Sequence, residues 1–280
     1  MAGGVGRLRP PGVTIGRRDA AALLARHGLA PKRSLGQNFV VDPNTVRRIA
    51  RLAGVGAGDH VVEVGAGLGA LTLALAETGA AVTAVEVDAH LVPVLEEVLA
   101  GTGARVVHGD AMALDWEGLL AAAGRWSLVA NLPYNVATPL VLDVLDDVPA
   151  VDRLLVMVQA EVGERLAAGP GDPAYGIPSV KVAYWATAQV VGRVPPTVFL
   201  PRPRVDSALV RITRRPVPAT PADPARLFAL VRAGFGQRRK TLRRSLAGLV
   251  DADGFAAAGV DPGARAEDLS VEDWGRLASA

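Results

Sequence analysis

The sequence predicts an α/β protein with a Rossmann-like parallel sheet, followed by a small C-terminal domain built only of helices. Short runs of branched residues alternate with Ala- and Leu-rich segments of helical length, and a proline-rich stretch at 216–224 precedes a helical remainder. The chain has 280 residues, of which 50% are hydrophobic, enough for more than one core. We expect a partly disordered N-terminal extension over 1–30, an α/β domain over 31–215 and a helical domain over 216–280.

Two helices are predicted ahead of the sheet. Residues 1–16 are rich in Gly, Pro and Arg and lack periodicity, so we expect them to be disordered. A first helix fits Arg18 to His27. A second helix begins at Asp42 and Pro43 and ends before Gly54, because Asp can cap free N–H groups and Pro suits the first turn.

Five branched runs predict parallel strands joined by right-handed helical crossovers. These runs are His60–Val64, Ala81–Val87, Arg105–Val107, Ser127–Ala130 and Leu154–Val158. Two further strand-like runs, Ser179–Val191 and Asp206–Thr213, have no long helix between them, so we expect the last strand to run antiparallel. Beyond the proline-rich stretch, Ala225–Gly234 and Gln237–Val250 are predicted to be helices.

Charge is divided unevenly along the chain. The formal net charge is +2, yet residues 1–60 carry +7, residues 61–190 carry −11, residues 191–250 carry +11 and residues 251–280 carry −5. Clusters of Lys and Arg are typical of proteins that bind a phosphate backbone. A solvated, arginine-rich surface explains the charge alone equally well.

The composition excludes several classes of function. The chain has no Cys, which rules out disulfides, thiolate nucleophiles and Cys-based zinc sites. No apolar run is long enough to span a bilayer, and the N-terminus lacks the apolar stretch of a secretory signal, so we expect a cytoplasmic protein. The four His residues occur singly and no G-x-S-x-G elbow is present, so neither a metal site nor acyl transfer is indicated.

A glycine turn follows the first predicted strand. Gly65, Gly67 and Gly69 lead into a helix that begins at Ala70, and glycine lets a ligand approach the N–H groups at a helix start. The next strand carries Glu86 near its carboxyl end, where a carboxylate can accept both hydroxyls of a ribose. This arrangement fits NAD and S-adenosylmethionine equally, and an ordinary tight turn with a surface acid is the alternative.

Polar residues also follow the third and fourth strands. Asp110 can accept a hydrogen bond from an adenine amino group while the N–H of Ala111 serves a ring nitrogen, although a helix N-cap is the simpler interpretation of Asp110 alone. The fourth strand ends at Asn131, and Leu132-Pro133-Tyr134 follow. Ligands of open α/β sheets lie at the carboxyl ends of the strands, so Asn131 is expected to share a crevice with the glycine turn and both acids.

The loop after the fourth strand carries groups that suit an aromatic amine, whose nitrogen lone pair is delocalised into the ring. The side-chain oxygen of Asn131 and the carbonyl of Leu132, both accepting from the NH₂, would favour a pyramidal nitrogen. Pro133 fixes the φ of the loop, and Tyr134 offers a flat face on which a base can stack. Phe199 could hold the other face of a flipped base, with core packing as the alternative.

Together these features resemble the ribosomal RNA adenine N6-dimethyltransferase family over residues 31 to about 274. The motifs that carry the resemblance are Lys32–Phe39, Glu63–Gly69, Glu86, Gly109–Met112, Asn131–Asn135, Phe199–Ser207 and Phe235–Leu246. The resemblance implies a class I methyltransferase fold, S-adenosyl-L-methionine as donor, S-adenosyl-L-homocysteine as product, and no metal. The donor contacts it implies are Gln37, Asn38, Val40, Gly65, Gly67, Glu86, Val87, Asp110, Ala111 and Asn131.

The resemblance also implies the substrate: two adjacent adenines in a hairpin near the 3′ end of 16S ribosomal RNA, each methylated twice on N6. The RNA would be part of the small ribosomal subunit or its late assembly precursor, and we expect a monomeric enzyme without membrane contact. The cations expected to bind RNA phosphates are Arg202, Arg204, Arg238, Arg239, Lys240, Arg243 and Arg244. Positions 239, 240, 243 and 244 would form one helical stripe, with Arg238 beside it.

Three other functions remain open. A large-subunit (23S) adenine dimethyltransferase of the macrolide-resistance type is disfavoured by Leu132, where that branch tends to have Ile, and by the basic C-terminal run. A nicotinamide oxidoreductase would use the glycine turn and Glu86, but would leave the loop after Asn131 and the basic run without a role. A non-catalytic assembly factor would only dock on the immature subunit.

Overall fold

The computed structural model describes residues 14–280, so the predicted disorder of residues 1–13 lies outside the described part. The strands are β1 (Phe39–Val40), β2 (His60–Val64), β3 (Ala81–Glu86), β4 (Arg105–His108), β5 (Trp126–Asn131), β6 (Val151–Gln159), β7 (Ala186–Val194), β8 (Phe199–Leu200) and β9 (Ser207–Arg214). The helices are α1 (Arg17–Arg26), α2 (Pro43–Ala53), α3 (Ala70–Ala76), α4 (Val92–Leu99), α5 (Trp116–Leu120), α6 (Ala137–Asp147), α7 (Ala160–Ala167), α8 (Ile177–Trp185), α9 (Pro224–Gly236), α10 (Leu242–Ser245), α11 (Ala252–Ala258) and α12 (Val271–Ser279).

The chain forms two compact units. Of the described residues, the first unit comprises 14–135 and Val194–Asp206, and the second comprises Val136–Arg193 and Ser207–Ala280. These units do not coincide with the predicted domains, because Tyr175, Val180 and Tyr184 share one apolar core with the C-terminal helices. The segment around α8 therefore belongs with residues after 215 and not with the glycine turn.

The first unit contains parallel strands in the order β4-β3-β2-β5, which confirms the predicted Rossmann-like α/β class. In this register Val64 lies opposite Val85, and Glu86 lies opposite His108. The central strand β2 is buried on both faces at Val61 and Val62, as expected of a parallel strand covered by helices. The carboxyl ends of these strands therefore meet at one edge of the sheet.

The start of the described chain is ordered against the first unit, which corrects the predicted disorder at residues 14–16. Ile15 is fully buried. Arg17, the first residue of α1, donates from Nη2 to the carbonyls of Thr197 (2.7 Å) and Phe199 (3.0 Å). The composition of residues 1–16 could not reveal this order, because it depends on the burial of Ile15 and on hydrogen bonds from Arg17 to carbonyls far along the chain.

The second unit contains strands in the order β6-β9-β7, and β6 pairs with β9 antiparallel, as predicted for the last strand. The predicted strand Ser179–Val191 is wrong in its first half, which forms α8. The helix begins after Gly176, with Pro178 in its first turn. Its residues are buried or half-buried all round, so the sequence has no amphipathic period, and its branched and aromatic residues mimic a strand.

Arg214, at the end of β9, closes the C-terminal end of α6 within the second unit. Its guanidinium donates to the carbonyls of Val144 (2.9 Å), Leu145 (2.8 Å), Val148 (3.1 Å) and Val151 (2.9 Å). The last carbonyls of a helix have no intrahelical partner and carry partial negative charge, so a cation is favoured there. Burial lowers the pKa of Arg214 from its ordinary value.

Residues after 215 are helical wherever they have regular structure, as predicted, and Trp274 lies at the centre of their core. The predicted helix over Gln237–Val250 is wrong, since only Leu242–Ser245 are helical. The N–H groups of Leu242 and Arg243 instead donate to the carbonyls of Ala264 (2.8 Å) and Pro262 (2.9 Å). These tertiary hydrogen bonds replace bonds that a continuous helix would make. Within 14–280, no helix is long and apolar enough to cross a bilayer.

Candidate functional site

The glycine turn between β2 and α3 is built for close approach of backbone and side chains. Gly67 has a φ of +58°, and a Cβ at this position would lie 2.9 Å from Cδ1 of Phe39. Its N–H donates to Oε2 of Glu86 at 2.7 Å. A side chain at Gly67 would therefore both strain the backbone and displace Phe39.

Glu86 ends β3 and has a buried carboxylate. One oxygen accepts from Gly67, and the other, Oε1, accepts from the N–H of Asp88 at 2.9 Å. Burial raises the pKa of Glu86, while the two N–H donors oppose that rise. The carboxylate is therefore held in one orientation at the carboxyl end of β3, the position predicted from the sequence.

One cleft of the first unit collects most of the predicted site residues. Its lining comprises Leu35, Gly36, Gln37, Asn38, Phe39, Val40, Glu63, Gly65, Ala66, Gly67, Leu68, Ala70, Leu71, Glu86, Val87, Asn131, Leu132, Pro133 and Tyr134. Eight of the ten predicted donor contacts and four of the five predicted catalytic residues are in this set. The carboxyl ends of the parallel strands therefore open onto a concave surface, as expected of an open α/β sheet.

Asn131 is fixed in this cleft by a main-chain group. Its Nδ2 donates to the carbonyl of Asn38 at 2.9 Å. A carbonyl can only accept, so the amide nitrogen must face Asn38, which orients Oδ1 as well. The segment around Asn38 is thus part of the support for the loop after β5.

Three of the predicted donor and catalytic residues do not line the cleft. Asp110 is exposed, and its Oδ1 accepts the N–H of Met112 at 3.0 Å within a turn. It is not the helix N-cap of the alternative interpretation, because Asp115 caps α5. Ala111 follows Asp110 in the same turn. Phe199 is 1% exposed and lies in β8, opposite Val40, so in this conformation it is a core residue and not a free stacking face.

The predicted RNA-binding cations are exposed, but they do not form the expected helical stripe. Arg239 and Lys240 lie in a turn before α10, whereas Arg243 and Arg244 lie on it, because the helix does not extend to residue 237. Arg238 donates to Glu267 (2.7 Å) and to the carbonyl of Pro173 (2.9 Å), so part of its binding capacity is already used. Arg202 and Arg204 lie on an exposed loop of the first unit.

Glu63 is a site residue that the sequence analysis did not assign. It lies in β2, is 2% exposed, and its Oε2 has no hydrogen-bond partner among residues 14–280. Burial, assisted by the negative charge of Glu86, raises the pKa of Glu63 to about 8. The available signal was an acid inside an apolar parallel strand, two residues before the glycine turn.

The raised pKa of Glu63 predicts a loss of stability with rising pH. Between about pH 4.5 and 8, the unfolded state has released the proton while the folded state retains it, so the free energy of unfolding falls by up to about 1.4 kcal/mol per pH unit. Glu63→Gln removes this dependence. In urea titrations at pH 5 to 8, the variant should gain stability relative to the unaltered protein as pH rises.

Glu117→Gln, which changes an exposed acid on α5, is the matched control and should show a nearly constant difference. A Glu63→Gln difference that is also constant over this range would mean that Glu63 ionises normally in the folded protein.

Comparisons with known proteins identify the family of the chain. A family model described as ribosomal RNA adenine dimethylase matches residues 28–280. Proteins named "Ribosomal RNA small subunit methyltransferase A" are similar: one from Kineococcus radiotolerans is 50% identical, covering 95% of this chain and 91% of the relative. Another from Streptomyces coelicolor is 49% identical, covering 96% and 97%.

Two solved structures share the fold. The 23S rRNA methyltransferase ErmE has a TM-score of 0.67 at 26% identity, covering 86% of this chain and 98% of that one. A dimethyladenosine transferase from Plasmodium falciparum has a TM-score of 0.71 at 21% identity, covering 84% and 94%. With the family match over nearly the whole chain and relatives of about half identity, the resemblance is confirmed: the chain belongs to the ribosomal RNA adenine dimethylase family.

Proposed function

We propose that this protein transfers methyl groups from S-adenosyl-L-methionine to N6 of two adjacent adenines in the 3′-terminal hairpin of 16S ribosomal RNA, two to each adenine. The observation that carries the proposal is the position of Asn131, which shares one cleft with the glycine turn and Glu86 and is oriented by the Asn38 carbonyl. The family match and the small-subunit relatives support the same activity.

The residues of the cleft fit the donor. S-adenosyl-L-methionine supplies an electrophilic methyl group on a sulfonium and also carries an ammonium and two ribose hydroxyls. Glu86 is placed to accept from hydroxyls, and the unpartnered oxygen of Glu63 offers a hydrogen-bond acceptor to a donor group. Asp110 and Ala111 remain proposed contacts for the adenine end, supported by their position just beyond β4. Within 14–280 no cluster of His, Asp or Glu is arranged to hold a metal.

The loop after β5 would hold the target amine. Oδ1 of Asn131 and the carbonyl of Leu132 are the acceptors proposed for the two N–H groups, and they would turn the nitrogen lone pair towards the donor. Pro133 stiffens the loop, and half-buried Tyr134 provides the stacking face. No strong base is required, because the amine can lose its proton after transfer. Phe199 is excluded from this scheme as long as it stays buried.

The exposed cations would bind phosphates without reading sequence. In the second unit these are Arg239, Lys240, Arg243 and Arg244, with a smaller share for Arg238, and in the first unit Arg202 and Arg204. The proposed substrate is the small subunit or its late precursor, which places the enzyme in the cytoplasm. We propose that the enzyme acts as a monomer.

Methyl transfer to purified ribosomal subunits tests the function. With tritiated donor, small subunits lacking this modification should be labelled, and nucleoside analysis should yield N6,N6-dimethyladenosine from the two adjacent positions. Matched large subunits are the control. Label confined to the large subunit would support the 23S activity instead, and no label in either would support a docking factor.

A further inference from the structure

The segment Lys32–Asn38, whose residues 35–38 line the cleft, supplies one wall of the cleft and is fastened from outside it. Gln37 Nε2 donates to Oδ2 of Asp88 at 2.9 Å, and Lys32 Nζ donates to Oδ1 of Asp88 at 2.7 Å. At its other end, the carbonyl of Asn38 accepts from Asn131. The wall therefore has two anchors, of which Asp88 lies outside the set of lining residues.

Asp88 also connects to Glu86. Its N–H donates to Oε1 of Glu86, whose other oxygen accepts from Gly67. Asp88 is 5% exposed, whereas the side chain of Lys32 is 38% exposed, so only the Asp88 end of this ion pair is shielded from water. Although burial alone would raise the pKa of Asp88, the hydrogen bonds from Lys32 and Gln37 lower it to about 2, so the group is ionised at neutral pH.

We infer that Asp88 is a positioning residue, which fixes the wall formed by Lys32–Asn38 against the carboxylate of Glu86 and thereby sets the affinity for the donor. The inference rests on the proposed function, since it takes the cleft to be the donor site. Asp88 itself need not touch the donor. Its effect is to keep Asn38 and Glu86 at a fixed separation before binding, which reduces the ordering cost of binding.

The hydrogen-bond pattern leaves no easy substitute for the carboxylate. The Oε1 of Gln37 accepts the N–H of Lys32 at 2.7 Å, which fixes its Nε2 towards Asp88. Asn at position 88 would present either its NH₂ to the Gln37 NH₂ or its NH₂ to the Lys32 ammonium. If the Gln37 amide were turned over, its Nε2 would face the N–H of Lys32, which again places two donors together. One of the hydrogen bonds that hold the segment must therefore be lost.

The test is Asp88→Asn, measured by calorimetric binding of S-adenosyl-L-homocysteine and by limited trypsin digestion without ligand. We expect the Kd to rise about tenfold, because the substitution removes roughly the contribution of one charge-assisted hydrogen bond. We also expect faster cleavage after Lys32 and Arg33, identified by mass spectrometry. In methyl transfer, KM for the donor should rise with the Kd while kcat changes far less.

A rescue separates positioning from mere folding. In Asp88→Asn with Gln37→Glu, Glu at 37 accepts from both the Lys32 N–H and the new amide, which restores every pairing. We expect the double variant to recover most of the affinity. Glu97→Gln is the control, since it removes the Arg26 and His27 ion pairs elsewhere on the first unit and should leave the Kd unchanged.

Unchanged affinity and unchanged cleavage in Asp88→Asn would overturn the inference, as would a fall in Tm with cleavage throughout the chain and no rescue. If the unaltered protein failed to bind S-adenosyl-L-homocysteine, the proposed function would fail instead. The trypsin comparison would still decide whether Asp88 anchors the segment.

Discussion

Asn131→Ala should lower kcat for methyl transfer by at least about a hundredfold, while the Kd for S-adenosyl-L-homocysteine rises by less than about tenfold. The reason is that the amide oxygen is proposed to act on the target nitrogen only as the reaction proceeds, whereas the donor retains its contacts to the glycine turn and Glu86. Alanine also removes the bond to the Asn38 carbonyl, which accounts for the moderate loss of donor affinity.

The measurement is single-turnover methylation of small subunits, with donor binding followed separately. Asn44→Ala, at an exposed position of α2, serves as the control and should change neither quantity. Full methyl incorporation by Asn131→Ala would refute its role at the amine. A loss of donor binding as large as the loss of rate would show that Asn131 only supports the donor cleft.

Arg214→Met should lower the free energy of unfolding by about 3 kcal/mol, because it leaves four half-buried carbonyls without their shared donor, three at the end of α6 and that of Val151 at the start of β6. Methionine preserves the length and apolar contacts of the stem, so the loss reports the guanidinium. Urea denaturation followed by circular dichroism measures the change. Methyl-donor affinity should be retained, since Arg214 lies in the second unit.

Arg211→Met, at an exposed position on the same strand, should cost less than about 1 kcal/mol. Equal losses for the two variants would mean that the strand, and not the cap on α6, determines the effect. Arg214→Lys should recover only part of the loss, because one ammonium cannot reach four carbonyls in the geometry of a planar guanidinium.

The fold could be predicted where local signals agreed. α2 is an example, since Asp42 caps it, Pro43 starts it and Gly54 ends it, and each residue acts through its own backbone. Prediction failed at α8 and at Gln237–Val250 for opposite reasons. The first is buried all round and has no periodic face, and the second has good helical spacing but gives its N–H groups to a distant turn.

The candidate site could be predicted as far as the strand-end rule extends. Glu86 and Asn131 were located because parallel strands bring their carboxyl ends together. Phe199 is buried in this structure, which fits the core packing that was its alternative interpretation. The sequence could not decide between the two because it does not show which side of a strand faces the core. The sequence assigned no role to Glu63 or Asp88. Glu63 matters through its burial and Asp88 through its hydrogen bonds, and neither property produces a recognisable spacing in the sequence.

The two hydrogen bonds from Arg17 to the carbonyls of Thr197 and Phe199 determine how far the N-terminus can be truncated for crystallography. A truncation that starts at residue 28, where the family match begins, would remove the buried side chains of Ile15, Leu23 and Leu24 and expose the apolar surface that they cover. It would also leave the carbonyls of Thr197 and Phe199 without their hydrogen bonds from Arg17. Because exposed apolar surface promotes aggregation, the shortened protein should aggregate and precipitate. A protein prepared for biochemistry should therefore start at or before Thr14.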